Sequence, residues 1–279
     1  MNLIKGAEVA DAMIRKMKGS MEFQEGKKPC LAIVRVGEKP DDIAYERGAV
    51  KRLSSLGIEC RLEILPADVT QEEFIGRFRE VNEDDGVNGI LLLRPLPNQL
   101  DVSAAENMIS PDKDVDGISP VNTARIYLGE ENGYAPCTAQ AVMEILDNMD
   151  CGLRGKKVVI VGCGKVVGKP LSLLMLGRDA TVTVCNEFTH ELEKECRSAE
   201  ILVAAAGVRK LIKAEHVSPE CIVIDVGINM DENGKLCGDV DFENVAPVVK
   251  GITPVPGGVG SVTTYVLAKH VMQAAGIAV

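Results

Sequence analysis

Two spacings of apolar residues alternate along this chain. Short apolar runs rich in Val, Ile and Leu are each followed by a longer stretch with apolar residues every three or four positions: 30–36 then 41–56, 58–65 then 71–82, and then 89–93. The short runs predict strands buried on both faces, and the longer stretches predict helices. Strand–helix–strand order implies a parallel sheet with helices laid over it. Ahead of these, 8–17 reads as an amphipathic helix rather than a signal peptide. A loop rich in Pro, Gly and Asp runs from Arg94-Pro95-Leu96-Pro97 to Pro111-Asp112-Lys113-Asp114-Val115-Asp116-Gly117. Thr138 is placed to cap a helix over 139–149. The alternation then restarts, with strands predicted at 157–161, 181–186, 201–206 and 221–226. A turn-rich segment over 251–260 and an apolar helix over 262–275 close the chain. The pattern predicts an α/β protein, and 279 residues favour two domains over one.

The second half carries the sharpest chemical signal, Val158-Val159-Ile160-Val161-Gly162-Cys163-Gly164-Lys165-Val166-Val167-Gly168-Lys169-Pro170. A β-branched run ends in glycines spaced GxGxxxG and opens a helix. Such a turn sets bare backbone N–H groups beside the positive end of a helix dipole, which is how phosphate is held. A Cβ at the glycines would hold a pyrophosphate away and strain the turn. The next predicted strand runs into Glu187, an acid placed to hold ribose hydroxyls. Gly162, Gly164, Gly168 and Glu187 therefore mark a dinucleotide site; the plainer reading is a tight turn between strand and helix.

Composition narrows the partners. Aromatic residues are 3% of the chain and Trp is absent, so stacking platforms for single-stranded nucleic acid are not expected. A net charge of −10 and a pI near 5.0 would repel a phosphate backbone. No apolar run approaches the roughly 20 residues of a membrane span. The nine cysteines form no CxxC pair, which argues against structural zinc, and several lie in apolar strands, as reduced thiols of a cytosolic protein do. His190, His216 and His270 make no triad or metal motif.

Two candidates remain in the first half. Tyr45, early in the first long helix, can stack on a flat ring and offer its hydroxyl, or simply face solvent. Asp112, Asp114 and Asp116 lack the rest of a calcium loop; they form an acidic turn, or one of them grips an amidine-like ligand edge. Ligands in open α/β sheets bind at the carboxyl ends of strands, which draws attention to the loops at 94–97, 112–117 and 254–260.

Together these motifs resemble the bifunctional methylenetetrahydrofolate dehydrogenase/methenyltetrahydrofolate cyclohydrolase family (FolD in bacteria). The marks are Val36-Gly37 with Tyr45, Gly89-Ile90-Leu91 with Pro95-Leu96-Pro97, the 111–117 turn, Pro136-Cys137-Thr138, Val161-Gly162 with Val167-Gly168-Lys169-Pro170, Ile224-Asp225-Val226-Gly227-Ile228-Asn229, and Ile252-Thr253-Pro254-Val255-Pro256-Gly257-Gly258-Val259-Gly260. The resemblance implies an α/β folate-binding domain over 1–138 with 261–279, its last helix returning to it. A Rossmann-type parallel-sheet dinucleotide domain over 139–260 and a homodimer formed through the cofactor domains are also implied. It implies hydride transfer from 5,10-methylenetetrahydrofolate to a nicotinamide in the cytoplasm. On matching positions, Tyr45 would stack on the pterin side and Asp116 would bond the pterin amino edge. Pro256, Gly257 and Gly258 would shape the pocket, and Gly162, Cys163, Gly164 and Ile228 would meet the dinucleotide through backbone groups.

The chain departs from the family pattern in two places. The lysine usual one turn after the tyrosine is Ala49, and the glutamine of Val-Gln-Leu-Pro-Leu-Pro is Leu93, in Leu92-Leu93-Arg94-Pro95-Leu96-Pro97. That pair serves the hydrolytic half-reaction, so cyclohydrolase activity is expected to be weak or absent. Lys51 points elsewhere on its helix, and Arg52 and Arg94 are nearer but poor bases. At the cofactor, the arginine and serine common in NADP users are Cys163 and Glu187, which favours NAD, with NADP the alternative and Lys165 the one cation in reach. The expected activity is thus an NAD-linked dehydrogenase. A fully bifunctional enzyme and a non-catalytic dinucleotide sensor are the alternatives.

Overall fold

A computed structural model describes residues 2–22 and 28–279. Its first elements are β1 (Asn2–Leu3), α1 (Gly6–Glu22), β2 (Cys30–Val36), α2 (Pro40–Ser54), β3 (Glu59–Leu65), α3 (Gln71–Glu83) and β4 (Gly89–Leu92). Three helices follow, α4 (Val102–Met108), α5 (Pro120–Leu128) and α6 (Cys137–Asn148). Then come β5 (Lys157–Val161), α7 (Gly168–Leu176), β6 (Thr181–Cys185), α8 (Leu192–Arg197), β7 (Ile201–Ala204) and β8 (Ile222–Asp225). A hairpin of β9 (Asn229–Met230) and β10 (Leu236–Cys237), then α9 (Phe242–Val245), β11 (Gly251–Ile252) and α10 (Thr263–Ala274), complete the chain. Two compact units result: residues 13–137 with 264–279, and residues 1–12 with 138–263.

In the first of these units a parallel sheet has the order β3-β2-β4. The central strand β2 is buried at every position, as its unbroken apolar run requires. On the sheet pack Phe74 and Phe78 of α3, both fully buried, with Val34, Ile90 and Leu92. A capping box starts α3: Thr70 accepts from the Glu73 amide, and the Glu73 carboxylate accepts from the Thr70 amide. Gly89 opens β4 where a Cβ would come within 2.8 Å of Val115 and 3.2 Å of Val271. Its missing side chain lets the acidic turn and α10 close on the sheet.

The other unit is a parallel six-stranded sheet, order β1-β11-β8-β7-β5-β6. Val159, Val161, Leu202 and Val223 form its core with Cys185, Cys196 and Cys221, and all nine cysteines are free thiols. The sequence pattern misses β1 and β11, which at two residues each are too short to show a period. They exist because Asn2 and Leu3 pair with Gly251 and Ile252, which in turn pair with Ile222 and Val223. The loop expected over 94–117 contains α4, capped by the Asp101 carboxylate on the Ser103 amide. Thr138 is not a cap, because α6 already begins at Cys137. Among the described residues no helix is long and apolar enough to cross a membrane.

Candidate active site

The glycine loop is closed at its ends and open in its middle. A Cβ on Gly162, whose φ is +113°, would collide with the carbonyl of Ala205. One on Gly168 would collide with the carbonyl of Gly162, so α7 can seat on the loop only through glycine. At Gly164 nothing lies within 4 Å of a Cβ position, and Cys163, Lys165 and Val166 are exposed. A cradle with bare backbone at the N-terminus of a helix is the shape a pyrophosphate needs. The Gly162 amide donates to the Cys185 carbonyl at 2.9 Å, which ties this loop to the end of β6. Beyond Cys185 the Asn186 carboxamide accepts from the Phe188 amide at 2.9 Å and Thr189 Oγ1 accepts from the Asn186 amide at 2.8 Å, and this turn leaves Glu187 exposed.

Two buried aspartates hold the loop after β8. Asp225 accepts from the amides of Gly227, Asp239 and Val240, each at 3.0 Å. Asp239 accepts from the Ala206 and Gly207 amides at 2.7 and 2.9 Å and from Asn229 Nδ2 at 2.9 Å. Burial pushes the Asp225 carboxyl up to about 6, against the pull of these amides. Side chains on Gly227 or Gly238 would strike the two carboxylates. So braced, the segment presents Ile228 with 72% of its surface exposed. Sequence reasoning marked this motif without giving its aspartate a role; an acid at a strand end followed closely by glycine was the available signal. Asp239 carried none.

Pro256, Gly257 and Gly258 lie in this same unit. Gly257 has φ +103°, and its carbonyl accepts from the Gly6 amide at 2.9 Å.

In the other unit α2 presents Tyr45 one turn before Ala49. Pro40 starts this helix, and Asp41 and Asp42 in its first turn suit the dipole. Tyr45 is 43% exposed. Its hydroxyl titrates well above the ordinary phenol range, first through burial and then through Cys137 and Asp116, with Arg52 opposing. Ala49 and Leu93 are both buried.

The three aspartates of the 112–116 turn divide their work. Asp114 is fully buried and accepts from the Ile118 and Ser119 amides and from Asn122 Nδ2, at 2.9, 2.8 and 2.9 Å. Asp112 is exposed and meets Arg125 at 3.2 Å. Asp116 is the one whose charge is felt at the Tyr45 hydroxyl and that stands beside Arg94. Burial raises its carboxyl, while Arg94 and the amide and thiol of Cys137 pull it down. Arg94 Nη2 stands 3.6 Å from Asp116 Oδ2, and Arg94 Nη1 donates to Glu106 Oε1 at 3.2 Å. Cys137 Sγ lies 3.4 Å from the Val115 carbonyl, and burial and Asp116 push its thiol far up. His270 Nδ1, 2.9 Å from the same carbonyl, carries the proton of that contact, and its ring tilts against Tyr134 at 5.1 Å. The structure thus gathers Tyr45, Arg94, Asp116 and Cys137, residues scattered in sequence.

A family model described as the catalytic domain of tetrahydrofolate dehydrogenase/cyclohydrolase matches residues 4–116, and the NAD(P)-binding domain of the same enzymes matches 136–278. The chain belongs to the tetrahydrofolate dehydrogenase/cyclohydrolase family. A protein of Alkaliphilus metalliredigens called bifunctional protein FolD is 47% identical, over 98% of this chain and 96% of its own. The structure of the bifunctional enzyme FolD, methylenetetrahydrofolate dehydrogenase/cyclohydrolase, from Campylobacter jejuni superposes with a TM-score of 0.96 at 36% identity, covering 99% of each chain. That of the Trypanosoma brucei dehydrogenase-cyclohydrolase, complexed with NADP cofactor and inhibitor, gives 0.90 at 34%, covering 98% of this chain and 97% of its own. Two domains of α/β type with a Rossmann-like parallel sheet are thus established for this member of the family.

Proposed function

We propose that this protein oxidises 5,10-methylenetetrahydrofolate to 5,10-methenyltetrahydrofolate, with NAD as the favoured acceptor, as a cytoplasmic enzyme. The observation that carries the reading is exposed Tyr45, whose hydroxyl feels the Asp116 charge, in the same unit as the cluster of Arg94, Asp116 and Cys137. An exposed aromatic face next to a half-buried carboxylate suits a flat, amino-bearing heterocycle. When bound, the nicotinamide supplies a hydride acceptor for the one-carbon bridge. Cys163, Gly164 and Gly168 would hold its phosphates through backbone amides, in a turn that the Gly162 amide ties to Cys185; Glu187 would accept from the ribose hydroxyls, and the Ile228 backbone would meet it beyond. Tyr45 stacks on the pterin, and Asp116 accepts from its amino edge, fixing the bridge in one orientation. The chain need not supply a base for this step, because the substrate's nitrogen lone pair expels the hydride and is left in the methenyl cation. Pairing through the dinucleotide-binding domains makes the enzyme a homodimer.

For the second half-reaction, the names of the relatives favour a bifunctional enzyme that also hydrolyses the methenyl product. A specific observation favours the other reading, a dehydrogenase with little hydrolytic power: Ala49 and Leu93 are buried apolar residues where an amine and a carboxamide are usual. One assay tests both halves. Methylenetetrahydrofolate is mixed with NAD or NADP, and the reduced dinucleotide and the methenyl product are followed separately. Reduction without either folate-derived product would overturn the whole reading. Enzyme-dependent decay of the methenyl signal establishes the bifunctional form; decay at the rate of buffer alone establishes the other.

A further inference from the structure

Arg94 occupies a position where the family pattern has leucine, between the end of β4 and Pro95. Its side chain is 29% exposed, and those of Asp116 and Glu106 are each 25% exposed. Three partly buried charges in a row are not a solvated surface pair; each needs the others. The guanidinium is planar and forked, so Nη1 can rest on Glu106 of α4 while Nη2 faces Asp116. The separation from Asp116, 3.6 Å, is longer than a hydrogen bond. The cation therefore acts on Asp116 by charge and occupies none of the acceptor positions that the Cys137 amide and thiol leave open.

We propose that Arg94, anchored on Glu106, is a positioning residue for folate: it holds the Asp116 carboxylate ionised and aimed at the pterin amino edge. This rests on the reading of Asp116 given above. The other groups facing Asp116 make such a cation useful. Buried Asp114 repels its charge, and the Tyr45 hydroxyl and the Cys137 thiol are both neutral. The Arg52 charge acts on Tyr45, and His270 Nδ1 stands 4.0 Å from Cys137 Sγ, so neither takes the place of Arg94. A protonated Asp116 would offer a donor to an edge that itself donates, and binding would weaken.

The test is the pH profile of kcat/KM for methylenetetrahydrofolate at saturating dinucleotide, since that ratio reports ionisations of the free enzyme. Substrate ionisation is common to all variants and cancels between them. Arg94→Leu is expected to raise the folate KM and to move the acid limb up by about one pH unit or more, with the dinucleotide KM unchanged. Arg94→Lys keeps the charge without the fork and should return most of the limb while leaving KM elevated. Glu106→Gln removes the charge opposing Arg94, so the limb should not move up. A role in folding alone would shift both Arg94→Leu and Glu106→Gln in the same direction, along with thermal stability, and that result overturns the proposal. So does an Arg94→Leu enzyme with the wild-type limb and KM. Should that variant fail to fold, Arg94→Lys and Glu106→Gln decide by the same signs. Asp116→Asn separates the two layers. If it leaves the folate KM unchanged, the folate reading of Asp116 falls and the proposal with it; if it raises KM while Arg94→Leu does not, only the proposal about Arg94 falls.

Discussion

The amide of Gly162 donates to the carbonyl of Cys185 at 2.9 Å. One hydrogen bond thereby joins the turn that would cradle phosphate to the strand end that carries Glu187. Two residues beyond that strand end, Glu187 is exposed, and in the proposed reading it meets the adenosine ribose.

Cofactor choice follows from that placement. A carboxylate accepts from both ribose hydroxyls of NAD, but it faces the 2′-phosphate of NADP as a like charge. At about 4 Å and an effective dielectric near 20, each such pair of charges costs roughly 4 kcal/mol before screening. Cys163 offers no offsetting cation, and exposed Lys165 offers part of one. Catalytic efficiency with NAD should exceed that with NADP. Glu187→Ser combined with Cys163→Arg should move the ratio toward NADP; an unmoved ratio would sink the assignment.

The glycines of the loop should respond differently to alanine. Gly168→Ala drives a Cβ into the Gly162 carbonyl, and overpacking of this kind costs about 1–3 kcal/mol of stability. Gly164→Ala meets nothing within 4 Å, so the melting temperature should hold while dinucleotide affinity falls. Calorimetric melting and dinucleotide titration of both variants check the pair. Equal affinities for wild type and Gly164→Ala would mean that no phosphate rests there.

Restoring the missing pair should raise hydrolysis. Ala49→Lys with Leu93→Gln places an amine one turn from Tyr45, in a buried position that lowers a lysine's pKa toward that of a working base. Some stability is lost in burying it. Enzyme-dependent decay of methenyltetrahydrofolate should be faster than with the parent chain; an unchanged rate would show that hydrolysis in this protein does not depend on these positions.

Asp225 gives the dinucleotide unit a signature in pH. Its folded value is about 6, above the roughly 3.9 of an unfolded aspartate, so the folded state holds the proton more tightly. Its contribution is therefore fully present below about pH 4 and is lost as pH rises through about 6, a change of up to roughly 3 kcal/mol. The stability of the wild type minus that of Asp225→Asn should fall across that window and then level. Denaturant titrations at several pH values measure it, and a difference that rises through the window contradicts the assignment.

Local signals carried much of this protein. The apolar runs at 30–36 and 157–161 have no choice but to be buried strands, and the Gly162–Gly168 spacing makes sense only where backbone must meet backbone. Thr138 shows where local reasoning fails: a good capping residue lies inside α6, because the helix starts at Cys137, whose amide and thiol turn to Asp116. β1 and β11 show it again, since two residues have no period and become strands only by pairing with residues far along the chain.

By itself the sequence determined the α/β class, the long strands and helices, the phosphate-type loop and the family, because each depends on spacing or motif within a short stretch. Tertiary structure decided which of three neighbouring aspartates stands beside Arg94 and Cys137. It set Asp225 and Asp239 as the braces beneath Ile228, and it placed Arg94 between Glu106 and Asp116. Those are contacts between residues distant in the chain, and a charge acquires its role only from the partners and the burial that folding provides.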